Sequence, residues 1–194
     1  MSSQDNVNNE ETINLVKKFI ASNQRKRRNL VNDIESSAES LYIVGEEIIN
    51  NVDREGDDWC IGWVLQVLKK YKPNFFDKDI YNNWYYTKSG INLNYDNLQL
   101  NLLKQNFEEA DRLTSAYLRK LAGKVAENRG YVFYSEVKDM PGEDLVTIDR
   151  LWNIYSQGKF GFSNQAKLLK SVGKRYDLLW PKIGWKKDGI WTRY

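Results

Sequence analysis

The residues best suited to hold a ligand lie at the C-terminal end. From Trp180 through Pro181, Lys182, Ile183, Gly184, Trp185, Lys186, Lys187, Asp188, Gly189, Ile190, Trp191, Thr192 and Arg193 to Tyr194, large aromatic side chains alternate with cations. Two glycines and a proline make a regular helix an unfavourable choice there. Rings on an irregular loop can stack on a flat apolar face while neighbouring cations meet carboxylates. A porphyrin with two propionates has those properties. A single-stranded nucleic acid, with its bases and phosphates, has similar ones, so the pattern by itself does not separate the two. The plain alternative is that the tryptophans plug a core beneath the loop.

Catalytic chemistry has little to draw on. The chain contains no histidine, which removes Ser-His-Asp and Cys-His catalysis, histidine-ligated zinc and histidine-ligated haem. No nucleophile motif or phosphate loop is recognisable. A single cysteine, Cys60, precludes an intramolecular disulfide and fits a reducing compartment. Beside Trp59 it reads as a small buried hydrophobe. Glu108, Glu109 and Asp111 fall on adjacent helix faces and do not converge on a metal, so they read as a solvated face near a helix N-terminus. The run Arg25 to Arg28 reads as a wet helix end. A net charge of +3 is mild, where a non-specific nucleic-acid binder usually shows a stronger and more clustered basic excess, though charge alone does not decide the matter. The expectation is a protein that is not an enzyme, has no metal site of its own and binds no nucleic acid.

The elements that must carry these groups are helical. No stretch approaches the roughly 18–20 apolar residues of a membrane span, and the polar, acid-containing start (Asp5, Glu10, Glu11) is neither a secretory signal nor a typical transit peptide. Residues 1–10 read as a disordered polar tail. Ile13, Val16, Phe19 and Ile20 recur at helical spacing, as do Leu30, Ile34, Ala38, Leu41, Tyr42, Ile48 and Ile49, which read as one element. A third stripe runs from Trp59 to Tyr71, with Asp57 or Asp58 as its N-cap, and Pro73 stops it. These patterns give a small helical bundle over 11–72. Residues 73–94, rich in Phe, Tyr, Trp and Asn, read as an aromatic connector packed between two domains.

From Tyr95 a second helical system begins. Leu98 to Phe107 leads into Ala110, Leu113, Tyr117, Leu118 and Leu121, with Gly123 in the C′ position. Residues 131–137 fit a strand or a helical turn. Asp144 is the predicted N-cap of a helix carrying Leu145, Ile148, Leu151, Trp152 and Tyr155. Gly158 and Gly161 bracket Phe160 in a tight turn, and Ser163 is a candidate cap for a helix to Val172. The predicted fold is all-α, a small N-terminal bundle packed on a helical domain over 95–194.

Three segments, FEEADRLTSAYLRKLAG (107–123), DLVTIDRLWNIYSQGKFGFSNQ (144–165) and LWPKIGWKKDGIWTRY (179–194), resemble in order and spacing the tetrapyrrole-binding regulator of magnesium chelatase, the product of the fourth genomes-uncoupled locus. The resemblance covers about the last hundred residues, and the N-terminal part resembles the extra bundle of the cyanobacterial members. It implies a domain that binds protoporphyrin IX or Mg-protoporphyrin IX and stimulates magnesium chelatase in chlorophyll biosynthesis with that enzyme's large porphyrin-binding subunit. A magnesium porphyrin can take water as its axial ligand, which suits a chain without histidine.

Carried onto this sequence by position, the resemblance implies ring contacts from Val125, Tyr134, Trp191 and Tyr194, and charge partners at Arg129, Lys182 and Arg193. The family usually has tryptophan where Tyr194 stands. Phe107, Trp152, Phe160, Phe162 and Trp180 are assigned to the core, and Asp111, Thr114 and Asp149 to capping or inter-helix hydrogen bonds. Family members continue past the position of Tyr194 to a further helix that brings arginines to the pocket. The readings open at that point are a truncated chain, a more open and weaker site, or a scaffold that has lost its ligand and docks onto photosynthetic membrane complexes. An asparagine-, lysine-, isoleucine- and tyrosine-rich composition suggests an AT-rich genome. The expected location is the plastid stroma, including its membrane surface, or the cytoplasm of a cyanobacterium.

Overall fold

The computed structural model describes residues 3–76 and 83–192. Among them are eleven α-helices, one 3-10 turn and one two-residue hairpin, which agrees with the all-α expectation. Part of the expected connector, and both Arg193 and Tyr194, lie outside the described residues.

Four helices form the N-terminal part: α1 (Ser3–Ala21), α2 (Gln24–Ser36), α3 (Ala38–Asn50) and α4 (Trp59–Tyr71). Helix α1 takes in residues 3–10, the stretch read from the sequence as a tail. Once Thr12, Val16 and Phe19 dock on the core, adding residues N-terminally costs far less than starting a helix. The single element expected from Leu30 to Ile49 is two. Ser36 and Ser37 turn their hydroxyls back onto the carbonyls of Asn32 and Asp33, a local competition with helix hydrogen bonding, and the chain kinks at Ser37.

Helix α4 is the centre of the molecule. Every residue from Trp59 to Leu68 is buried, and a helix apolar on all faces must be surrounded. Asp58 caps it as expected, accepting from Cys60 N at 2.9 Å. The same carboxylate takes Arg27 at 3.0 and 3.1 Å, so one residue of the basic run is a clamp between α2 and α4 and not part of a wet helix end. Gln66, buried in α4, donates to the carbonyls of Leu102 and Tyr155 at 2.9 and 2.8 Å.

The 3-10 turn Pro73–Phe76 ends this part. Of the connector, Phe76, Trp84 and Tyr85 are buried. Tyr85 N donates to Gln99, and Gln99 returns a bond to the Tyr85 carbonyl. One continuous apolar core runs from Val16 in α1 to Tyr155 in α9.

The second half comprises α5 (Asp96–Leu103), α6 (Phe107–Leu121), the short α7 (Lys124–Arg129) and α8 (Tyr134–Val137), α9 (Gly142–Tyr155), α10 (Phe162–Ser171) and α11 (Tyr176–Lys182). Helix α6 buries Ala110, Thr114, Tyr117 and Leu121, one stripe at helical spacing. Two expected caps are otherwise engaged. Asp144 lies inside α9, fully buried, and accepts from Tyr95 Oη at 2.7 Å and Gly90 N at 2.8 Å. Helix α9 starts behind Pro141 instead. Ser163 does not cap α10. Its own N–H is capped by Asp149 of α9 at 3.0 Å.

The C-terminal stretch is more regular than its composition suggests. Trp180, Pro181 and Lys182 finish α11, and strands β1 (Lys186–Lys187) and β2 (Ile190–Trp191) pair antiparallel, Lys186 opposite Trp191. Asp188 and Gly189, with φ of 51° and 80°, form the two-residue turn, a conformation that Asp-Gly adopts readily.

Candidate ligand cleft

A cleft of about 960 Å3 opens between the outer face of α6, the α9–α10 turn, α10 and the end of α11, at the large end of the range for small-molecule sites. Its floor is aromatic. Phe107 stacks on Trp152 with ring centres 6.0 Å apart and 24° between planes, and Phe160 meets both edge-on at 5.7 and 6.0 Å. Trp152 Nε1 donates to Thr114 Oγ1 at 2.9 Å, and Thr114 in turn bonds the Ala110 carbonyl. The indole is thereby fixed from α6, the inter-helix role expected of Thr114.

The turn that presents Phe160 is built by backbone geometry. Gly161 has φ of 116°, and a Cβ there would sit 2.5 Å from Asp149 Oδ1 and 2.7 Å from Asn153. Asn164 holds the carbonyls of Gly158 and Phe160 at 3.0 and 2.9 Å. Tight local hydrogen bonding thus keeps Phe160 and Phe162 outside the core, 48% and 37% exposed. This corrects their assignment to the core: both rings line the cleft with Phe107 and Trp152.

The facing wall is the end of α11. Trp185 stacks on Trp180 at 5.5 Å with planes 7° apart, and Trp180 is flanked by Tyr176 at 5.4 Å and Trp191 at 5.8 Å. Of this pile Trp185 lines the cleft, beside Lys182 and Ile183. Trp180 belongs to the pile and not to the core.

Charge on the cleft wall is mixed. Arg112 holds Glu109 through two bonds of 2.7 and 2.6 Å, which keeps that carboxyl below the ordinary glutamate range. The Asp111 carboxyl shifts in the opposite direction. It lines the cleft, where loss of hydration raises its pKa, and it makes neither the capping nor the inter-helix hydrogen bond expected of it. Arg119, Lys159 and Lys182 complete the lining cations. Among the described residues no cluster of acids or cysteine is arranged to hold a metal.

Of the residues expected to touch a ring or its carboxylates, Lys182 lines this cleft; Val125, Arg129, Tyr134 and Trp191 do not. Trp191 Cα pairs across the hairpin, and its ring rests on Trp180 with Lys186 Nζ 5.7 Å away. Arg129 lies in the α7–α8 segment, where Glu136 binds it at 2.6 Å and the rings of Tyr131 and Phe133 face its guanidinium at 4.6 and 4.0 Å. Val125 and Tyr134, 71% and 95% exposed, stand free on that segment, which follows the C-terminal end of α6. Trp185 belongs to the aromatic and basic stretch read as ligand-binding, but it was not singled out there; Phe160 and Phe162 were assigned to the core. The Gly158–Gly161 bracket marks the tight turn but does not by itself say which way the rings face.

A family model described as GUN4-like matches residues 88–194. The Ycf53-like protein of Synechocystis sp. is 36% identical over 78% of this chain, which spans 67% of that protein. The chloroplastic tetrapyrrole-binding protein of Arabidopsis thaliana is 43% identical over 48% of this chain and 35% of its own length; this chain therefore spans about a third of that protein. The solved structure of GUN4 from Chlamydomonas reinhardtii superposes with a TM-score of 0.51 at 35% identity, covering 53% of this chain and 73% of that one.

Proposed function

Because this chain belongs to the GUN4-like family, we propose that it is a non-catalytic tetrapyrrole-binding protein whose ligand lies in the cleft between α6, α10 and α11. The observation that carries the reading is the exposure of Phe160, Phe162 and Trp185 on one cleft beside Arg119, Lys159 and Lys182. Exposed rings around a concave site offer flat apolar surface, and cations near them offer partners for carboxylates. Those groups fit a planar ring with acidic substituents. The family relative in Arabidopsis, named for tetrapyrrole binding, supports the same ligand class.

The ligand we assign is protoporphyrin IX or its magnesium complex. Its role is to stimulate magnesium chelatase together with the large porphyrin-binding subunit of that enzyme. The place of action is the plastid, or the cytoplasm of a cyanobacterium. In this reading the α7–α8 segment, with Val125, Arg129 and Tyr134, and the hairpin with Trp191 form a rim to the site; Arg193 and Tyr194, proposed with them from the sequence, lie outside the described residues. The bundle over 11–72 supports α9 from behind.

Titration with deuteroporphyrin IX, followed by tryptophan fluorescence, tests the binding claim. Saturable quenching at micromolar ligand is expected, reduced in Trp185→Ala and unchanged in Trp59→Ala. Absence of quenching in the unaltered protein sinks the reading. A chelatase assay with and without the protein tests stimulation separately: an unchanged rate of magnesium insertion removes that part and leaves binding intact.

A further inference from the structure

The charges of the cleft are sorted along α6. Glu108, Asp111, Ser115 and Arg119 all line it, and their spacing of three, four and four residues places them on one helical stripe. At 1.5 Å per residue Arg119 sits about 12 Å further along the axis than Asp111. Between them the lining is Thr114 and Ser115, small and uncharged, and Arg112, whose charge is already met by Glu109 at 2.6 and 2.7 Å. The stripe therefore runs from acid through neutral to base over about the width of a tetrapyrrole ring. Among the described residues no ion pair joins Glu108 or Asp111 to a cation, and burial alone, with no cation offsetting it, raises the Asp111 pKa.

Resting on the tetrapyrrole reading, we infer that this gradient selects tetrapyrroles by where their carboxylates sit: two on one edge of the ring are accepted, and carboxylates around the whole perimeter are rejected. A ring with both carboxylates on one edge places them at Arg119 and leaves an uncharged edge beside Asp111. A ring with four, spread around its rim, brings at least one against Glu108 and Asp111. Like charges meeting in a partly desolvated cleft are repelled far more strongly than in water. Discrimination of this kind arises from the repulsive element as much as from the attractive one. Lys159 and Lys182 stand on the facing walls and add general attraction for anions; the direction along the cleft is set by α6.

Parallel fluorescence titrations with deuteroporphyrin IX, which has two carboxylates on one edge, and coproporphyrin III, which has four around the ring, test it. The unaltered protein should prefer the first by about tenfold or more. The double variant Glu108→Gln, Asp111→Asn should narrow that ratio at least threefold by binding coproporphyrin more tightly, with deuteroporphyrin affinity held within about twofold. Arg119→Gln should weaken deuteroporphyrin binding by about fivefold or more. Both α6 changes are on the exposed side of the helix, and circular dichroism checks that the fold persists. Equal affinity for the two porphyrins, or a ratio unmoved in the double variant, overturns the inference and leaves the tetrapyrrole reading standing. No quenching by either porphyrin overturns both.

Discussion

Trp152 Nε1 donates a 2.9 Å hydrogen bond to Thr114 Oγ1, so the aromatic floor of the cleft is set by a contact between α9 and α6. Both partners are buried. Replacing Thr114 by Val keeps the shape and strands the indole N–H, at a cost of about 1–3 kcal/mol. Urea unfolding should show that loss, and Thr114→Ser should recover most of it. A smaller loss in Thr114→Val than in Thr114→Ser would show that the methyl group, and not the hydroxyl, matters.

Gly62 on α4 faces Ile154 on α9 so closely that a Cβ would lie 2.6 Å from Cγ2 and 2.7 Å from the carbonyl oxygen. The two backbones touch there. Gly62→Ala should destabilise by about 1–3 kcal/mol or more, despite alanine's better helix propensity. Removing the opposing Cγ2 with Ile154→Ala should not rescue it, because the carbonyl remains. Full rescue in the double variant, measured by denaturation, would refute the backbone contact.

Tyr95 and Gly90 both donate to the buried Asp144 carboxylate. In Asp144→Asn one of those donors meets an amide NH2, so stability should fall by about 1–3 kcal/mol. A double-mutant cycle with Tyr95→Phe should give a non-additive coupling of about 0.5–3 kcal/mol. Strict additivity would mean that the two residues do not act through each other.

The Glu136 carboxyl is held below the ordinary glutamate range, first by the Phe133 N–H at 2.7 Å and then by Arg129 at 2.6 Å. A depressed folded-state pKa means that the stabilisation is present above the unfolded glutamate value and is lost as pH falls through the lower folded value. The α7–α8 segment should therefore loosen below about pH 4. Amide exchange at Phe133 reports it, and Glu136→Gln should flatten the acid dependence. A variant that keeps the same acid transition would assign it elsewhere.

Phe160→Ala should weaken deuteroporphyrin binding about fivefold or more through lost ring contact, whereas Tyr134→Ala should have a smaller effect, since Tyr134 stands away from the cleft wall. The reverse order would move the ligand from the cleft to the α7–α8 segment.

Much of this protein was legible in its residue pattern. The stripe from Trp59 to Tyr71 foretold α4 and its Asp58 cap, because hydrophobic spacing and capping are local rules. The absence of histidine had already set aside most catalytic designs, and the aromatic and basic C-terminal end suited a flat anionic ligand without choosing between a porphyrin and a single-stranded nucleic acid. The break at Ser37 was less visible, since Leu30 to Ile49 keeps helical spacing on both sides of it and two serine hydroxyls decide the matter.

Which aromatic faced the cleft was a tertiary decision. Phe107, Trp152, Phe160 and Trp185 come from separate elements, and their sequence neighbours do not tell a core plug from a cleft wall. Exposure followed from the Gly158–Gly161 turn and from the Trp180 pile that holds Trp185 across the gap. Asp144 and Arg27 teach the same lesson for charge. As sequence they are a helix cap and part of a wet basic run. Folded, each ties elements far apart in the chain, because a charged group carried into the interior must find its partners there.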